Sequence, residues 1–421
     1  MPRQLLRYRA GALPDNSTGT KIGRKCTYDP GFVHTMVIEK IRIFRGNNRM
    51  LEIYGDLIKG DPTVPTERMD KKFRDRAPHV EFEFNGEPGT WWVYEGYPAH
   101  DLAVGIAGGK SRTDDEKAAF IKAGGGYSDA RPGGWDPAER LKDMAVDGVA
   151  GEVLFTTLGF RLFWLLDPKL QRECFRVYND WLAEYCKYDP KRLKGNALIS
   201  LYDPELGAAE LERCAKMGLS GSMIWVTPPE DVPYHLPMYD VFWAKSQELG
   251  MVVNLHPPTG MDRPKYEFGR ETRMLRPVIG AQEVQRSMAV IVASGVLERF
   301  PDMKMVCAEY GIGWVPFWLD RIDSMQGRGS SRRGGFDTPL SLTPREYFHR
   351  QMYVTYIEEK VGIQYRGDIG VDQVMWSSDY PHAASTWPES AKFIDRDFVG
   401  ADDDKRKIVH DNVAALYGFD I

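Results

Sequence analysis

From about residue 150 the chain alternates short apolar segments with longer amphipathic ones, and this alternation constrains the fold more than any other feature. GEVLFTT (151–157) precedes LQRECFRVYNDWLAEYCK, GNALISL (195–201) precedes PELGAAELERCAKMG, and GSMIWVT (221–227) precedes MYDVFWAKSQELG. MVVNLHPP (251–258), MKMVCAEY (303–310), MYVTYI (352–357) and DQVMWSSD (372–379) open further units of the same kind. Short apolar runs bounded by Gly, Asp or Pro read as strands buried on both faces, and the longer segments carry a helical period. The segment MLEIYGD (50–56) offers one more strand upstream of these seven units. The repeated β-then-α order predicts an α/β fold, a (β/α)8 TIM barrel, in which a parallel sheet curls inside a ring of helices. A doubly wound open sheet is the alternative, but no GxGxxG follows any strand.

The 421 residues, 43% of them hydrophobic, can fill one large core. No apolar run approaches the roughly 18 residues needed to cross a bilayer, so a soluble, cytoplasmic chain with no membrane partner is expected. Cys26, Cys174, Cys186, Cys214 and Cys307 are scattered without CxxC spacing and read as buried, reduced thiols. The net charge of −5 conceals a basic N-terminal stretch, in which residues 1–49 hold ten Lys/Arg against three Asp/Glu. That stretch lacks the aromatic interleaving of a nucleic-acid-binding arm and the amphipathic period of a transit peptide. It is expected to be a peripheral extension, leaving residues 50–421 as the barrel domain and no nucleic-acid partner. Between the first strand and the second lies an insertion, about 57–140, rich in charge, Gly and Pro. Within it HVEFEFNGEPGTWWVYEGY places two alternating segments about NGEPG, the pattern of a hairpin. The insertion is expected to cover one end of the barrel as a lid.

Three ionisable residues stand at strand ends: His256 after MVVNL, Glu309 after MKMVCA and Asp379 after QVMWSS. In a parallel barrel those ends converge on one mouth, where such folds keep their chemistry. Taken singly, each has a plain structural reading as a packed imidazole, an ion-pair partner or a helix cap. Their shared position favours a site. A carboxylate pair formed by Glu309 and Asp379 alone would suit a glycosidase if the two stood about 5–9 Å apart.

Two long stretches, ERFPDMKMVCAEYGIGWVPFWLDRID (298–323) and VMWSSDYPHAASTWPES (374–390), with VNLHPP, GEVLFTTLGFRLFWL (151–165) and the ending KIVHDNVAALYGFDI, resemble the amidohydrolase-related family. The similarity is to the branch containing aminocarboxymuconate-semialdehyde and resorcylate-type decarboxylases, and it spans roughly 50–421. It implies a (β/α)8 barrel, a divalent metal (Zn or Mn) at the mouth, and a homodimer, to which aromatic stretches such as FRLFWLL and WVPFWL could contribute. The implied activity is hydrolysis or non-oxidative decarboxylation of a small aromatic or cyclic carboxylic substrate. Carried over by position, His256 matches a metal ligand, and Asp379 the last-strand aspartate that binds the metal and handles the proton. Glu309 falls where the decarboxylases keep a histidine; as a carboxylate it would take a proton or orient water rather than donate. His382 is expected to hold the substrate carboxylate or orient Asp379, with a cap contact after Pro381 as the plain alternative. The first strand departs from the family's Asp-x-His-x-His pattern. It reads LEIYGDLIKGDP, with no histidine between His34 and His79, and Asp56 stands in the motif's place as a candidate ligand. An oxygen-rich set of this kind favours a harder ion such as Mn or Mg. The other expectation is a catalytically impaired relative, without a metal, that acts as a binding protein.

Overall fold

The structure is a computed structural model in which the described residues are 50–57, 68–84, 86–94, 97–101, 113–122, 131–261, 276–328, 339–398 and 402–420. The basic stretch 1–49, Cys26, much of the insertion and the side chain of Asp56 lie outside them.

In chain order the strands are β1 (Met50–Leu57), β2 (His79–Phe84), β3 (Glu87–Tyr94), β4 (Tyr97–Asp101), β5 (Val149–Thr156), β6 (Leu193–Leu198), β7 (Gly221–Ile224), β8 (Val252–Leu255), β9 (Met305–Cys307), β10 (Met352–Tyr356) and β11 (Val374–Trp376). One eight-stranded sheet runs β1-β5-β6-β7-β8-β9-β10-β11. Each neighbouring pair in it is parallel. β1 also lies against β11, so the sheet curls back on itself in the manner of a (β/α)8 barrel. Among the described residues no backbone ladder joins those two strands. The expected hairpin is present as β2 and β3, and β4 adds a third antiparallel strand. Sequence reading misses β4 because YPAHD is short and carries Pro98, a residue tolerated on an edge strand.

Helix starts explain how each strand hands over to its crossover. Asp136, Asp167 and Asp203 each precede a proline, and each carboxylate accepts from amides in the first turn of the helices Pro137–Asp147, Pro168–Cys186 and Pro204–Lys216. The aspartate satisfies amides that would otherwise lack acceptors, and the proline at the next position needs none. Thr343 and Glu346 form a reciprocal capping box at Pro344–Gln351.

The barrel interior carries polar side chains in register. Asn254 on β8 donates to Asn196 Oδ1 on β6 (3.0 Å) and accepts from the Tyr417 hydroxyl (2.8 Å). Gly221 leaves room for this contact, since a Cβ there would stand 2.1 Å from Asn196 Oδ1.

Where the first and last strands meet, buried charge ties the structure together. Arg140, on the helix before β5, is fully buried and donates to Glu152 on β5, also buried (2.6 Å). Its other arm reaches the Tyr380 carbonyl beyond β11 (3.4 Å), and its guanidinium lies 4.7 Å from the centre of the Tyr380 ring. Asp143, one turn on, accepts from the Tyr380 hydroxyl and from Arg131, while its carbonyl accepts from the Trp387 indole (3.0 Å). Asp147 accepts from the Ser390 amide (2.9 Å) and hydroxyl. Three acidic or basic positions on one helix face thus hold the segment after β11. Arg140→Ala would strip Glu152 of its guanidinium in a dry site. The expected loss is about 3–5 kcal/mol of stability, read as a lower urea midpoint, with the Arg140→Met, Glu152→Leu pair recovering much of it.

Candidate functional site

His256 directly follows β8, Glu309 lies two residues beyond β9 and Asp379 three beyond β11, all at the C-terminal ends of parallel strands of the one sheet. His256 and Asp379 are fully buried, and the Glu309 side chain is about a quarter exposed (24%). The residues pair off: His256 Nε2 lies 3.1 Å from Glu309 Oε2, and His382 Nδ1 lies 3.2 Å from Asp379 Oδ2. Burial pushes the His256 pKa down to about 3; the Pro257 carbonyl opposes the shift and the nearby His382 adds to it, so the two pairs sense each other. His256 is therefore a neutral imidazole near pH 7.

The tautomer follows from the surroundings. His256 Nδ1 faces the Pro257 carbonyl, so the proton is assigned to Nδ1 and Nε2 presents a lone pair toward Glu309. A lone pair and a carboxylate oxygen at 3.1 Å need a proton or a cation between them. The imidazole plane is fixed by Phe160, stacked at 4.2 Å and 15°, and by Phe155 on β5 at 5.3 Å. Sequence reading passes over Phe160, because a phenylalanine in an apolar stretch is indistinguishable from core. Only its place in the turn after β5 reveals it.

Glu309 and Asp379 are the two non-glycine residues with left-handed backbone among the described residues, at φ 63° and 57°. For an L-residue this conformation costs about 1–2 kcal/mol, and it persists only where the surroundings impose it. Thr355 Oγ1 accepts from the Glu309 amide (2.9 Å). Beyond Asp379, the His382 amide donates to the Asp379 carbonyl (2.8 Å), the Thr386 amide to the Ser378 carbonyl (3.1 Å) and the Tyr380 amide to Ser378 Oγ (3.2 Å). His382 thus meets Asp379 through both backbone and side chain.

Asp56 pairs through its backbone with Phe155, the residue whose ring touches His256, so that position on β1 stands level with the site. A neutral imidazole offering Nε2 and a buried carboxylate are suitable donors for a divalent ion. Yet no three His, Cys, Asp or Glu side chains among the described residues gather closely enough to hold one. The donors fit in kind; a further ligand would have to come from beyond the described side chains, where that of Asp56 lies.

Comparison with known proteins gives this geometry relatives. A family model described as amidohydrolase matches residues 90–419. γ-Resorcylate decarboxylase of Rhodococcus jostii (strain RHA1) is 28% identical over 270 residues, covering 58% of this chain and 76% of its own. Among solved structures, an amidohydrolase from Mycobacterium avium subsp. paratuberculosis K-10 superposes with a TM-score of 0.68 at 19% identity, over 88% of this chain and 100% of that one. A dihydroxybenzoic acid decarboxylase from Polaromonas sp. JS666, crystallised with bound manganese and 2-nitroresorcinol, gives 0.56 at 21% identity, over 76% and 94%. At these identities the solved structures speak for the fold.

The strained backbone yields a paired test. At positions 309 and 379, replacement by glycine should leave the protein about 1 kcal/mol more stable than replacement by alanine. Both substitutions remove the carboxylate, but only glycine accepts the left-handed backbone without strain. Urea midpoints of the four variants measure the difference.

Proposed function

This chain belongs to the amidohydrolase family, and we propose that it is a non-oxidative decarboxylase of a small aromatic carboxylate. The observation that carries the reading is the pair of paired side chains at the strand ends, a neutral His256 beside Glu309 and a buried Asp379 beside His382. The curated relatives named as γ-resorcylate and 2-amino-3-carboxymuconate-6-semialdehyde decarboxylases support the reaction class.

In this reading a divalent ion, manganese or zinc, is held by His256 and Asp379 with Asp56 as the remaining candidate, and when bound it supplies positive charge against the substrate's oxygens. Phe160 and Phe155, already packed on His256, give an aromatic ring an apolar wall. His382 holds the substrate carboxylate beside Asp379. Asp379, once it has taken up a proton from solvent, gives that proton to the ring carbon that bears the carboxylate and is left as the carboxylate. The bond from that carbon to the carboxylate then breaks, its electron pair restores the ring, and CO2 leaves with no oxidant or reductant consumed. Glu309 stands on the solvent side of His256. The insertion at about 57–140 acts as a lid over the mouth, and the working form is a cytoplasmic homodimer that uses some of the aromatic helical surface. Hydrolysis is the second reading, favoured by the carboxylate of Glu309, which suits orientation of a water.

Incubation with γ-resorcylate and related hydroxybenzoates in D2O should release CO2 and leave one deuterium on the carbon that held it. Asp379→Asn, near-identical in shape, should lower turnover about 10²–10⁴-fold while leaving the urea midpoint close to wild type. No CO2 from any such acid, with 18O from water appearing in a product, would replace decarboxylation by hydrolysis.

Metal binding is read separately from activity. Protein stripped by chelator and reloaded should retain manganese or zinc in elemental analysis, and His256→Ala should retain less. Asp56→His should tighten zinc, since imidazole is the better zinc ligand. Zinc affinity unchanged in Asp56→His would remove Asp56 from the ligand set.

Light scattering at micromolar protein should give about twice the 47.9 kDa chain mass. The monomer mass would overturn the dimer.

A further inference from the structure

Glu309 stands in a strained conformation at one end of a short glycine-rich turn, Glu309-Tyr310-Gly311-Ile312-Gly313, and the other end of that turn is held by a residue outside the site described above. Glu359, three residues past β10, accepts from the Ile312 amide through Oε2 (2.6 Å) and from the Gly313 amide through Oε1 (2.7 Å). Two charge-assisted hydrogen bonds to consecutive amides form a fork that fixes the turn's height and tilt. The glycines are there for this approach. A Cβ at Gly313 would stand 2.5 Å from Oε1, and one at Gly311, itself at φ 65°, 2.9 Å from Oε2. Glu359 is anchored in turn, since its amide donates to Asp397 Oδ2 (3.0 Å), and the other Asp397 oxygen accepts from Arg396 (2.7 Å). The opposite end of the turn is tied to the same β-α unit, because Thr355 on β10 accepts from the Glu309 amide (2.9 Å).

We propose that Glu359 is a positioning residue that holds the Glu309 carboxylate against His256 by clamping the Ile312 and Gly313 amides. Thr355 fixes the Glu309 amide at one end of the turn and the clamp fixes the other end, and Glu309, whose side chain reaches His256, takes a left-handed backbone under those two ties. Position 309 therefore gets its geometry from the neighbouring strand rather than from its own. A bland loop staple would give Glu359 the same hydrogen bonds, so the test must separate positioning from stability. The functional arm rests on the decarboxylase reading; the structural arm does not.

Glu359→Ala should lower kcat about 10–100-fold while leaving KM within about threefold. In a Glu309→Ala background, adding Glu359→Ala should change kcat by less than about twofold, because the group being positioned is already gone. Gly313→Ala, which attacks the clamp from the turn's side, should reproduce Glu359→Ala. Glu359→Gln, which keeps one acceptor, should recover part of the loss and serves if the alanine variant folds poorly. Equal losses in both backgrounds would show a general structural role and overturn the proposal, as would an unchanged kcat in Glu359→Ala. If no aromatic carboxylate is turned over at all, the reaction assigned above fails, and the clamp is judged on structure alone. Amide exchange at Ile312 and Gly313 should then accelerate in Glu359→Ala, and its crystal structure should show Glu309 withdrawn from His256. An unchanged separation of that pair would overturn the clamp.

Discussion

A fully buried arginine at the seam of the sheet is the constraint on which the rest depends. β1 and β11 lie together without a described ladder between them, and buried side chains bridge from β5 to the segment after β11. Arg140 does this by spanning Glu152 on β5 and the Tyr380 carbonyl past β11. Removing a guanidinium and a carboxylate from water costs several kcal/mol each, and the pair is tolerable only because both are fully engaged. The cost is specific to one arrangement: a shifted segment after β11 would leave the guanidinium's second arm without the carbonyl it reaches. Asp143 and Asp147 extend the same logic along the helix to Tyr380, Trp387 and Ser390.

This explains the motif SSDYPHAASTWPES in physical terms. Its aromatic and hydroxyl positions are the anchor points of a loop in which Asp379 takes a left-handed backbone. Anchors on both sides confine that backbone, so its strain is balanced by hydrogen bonds and buried rings beyond the site itself. The turn after Glu309 follows the same plan with different chemistry, a carboxylate fork on two amides in place of a buried aromatic cluster. Both carboxylates thus stand in loops whose backbone is tied to neighbouring elements.

The consequence for chemistry is a separation of tasks. The strands set only the level of the mouth, and the loops behind each acid set its reach. His256 is held by two aromatic rings and by its own neighbour's carbonyl, which fixes which nitrogen faces the site. Burial keeps that imidazole neutral, the form able to bind a cation or accept a hydrogen bond.

The sequence by itself determined the parallel α/β plan and the strand ends from which His256, Glu309 and Asp379 come. Both are local properties, set by apolar periodicity, by Asp-Pro helix starts such as Asp203-Pro204 and by the residue that follows each apolar run. It also pointed to the hairpin about NGEPG, because turn chemistry is local, but not to the third strand β4, whose pairing with β3 is decided by contact. Only the tertiary structure decided which ionisable groups pair. His256 with Glu309 and Asp379 with His382 could not be chosen from the string, since the first two are more than fifty residues apart and the choice depends on backbone angles that the loops impose. Arg140, Asp143 and Glu359 stayed invisible for the same reason. In the string they are charged residues of ordinary helices and loops, and they acquire meaning only where folding brings each one to the partners it holds.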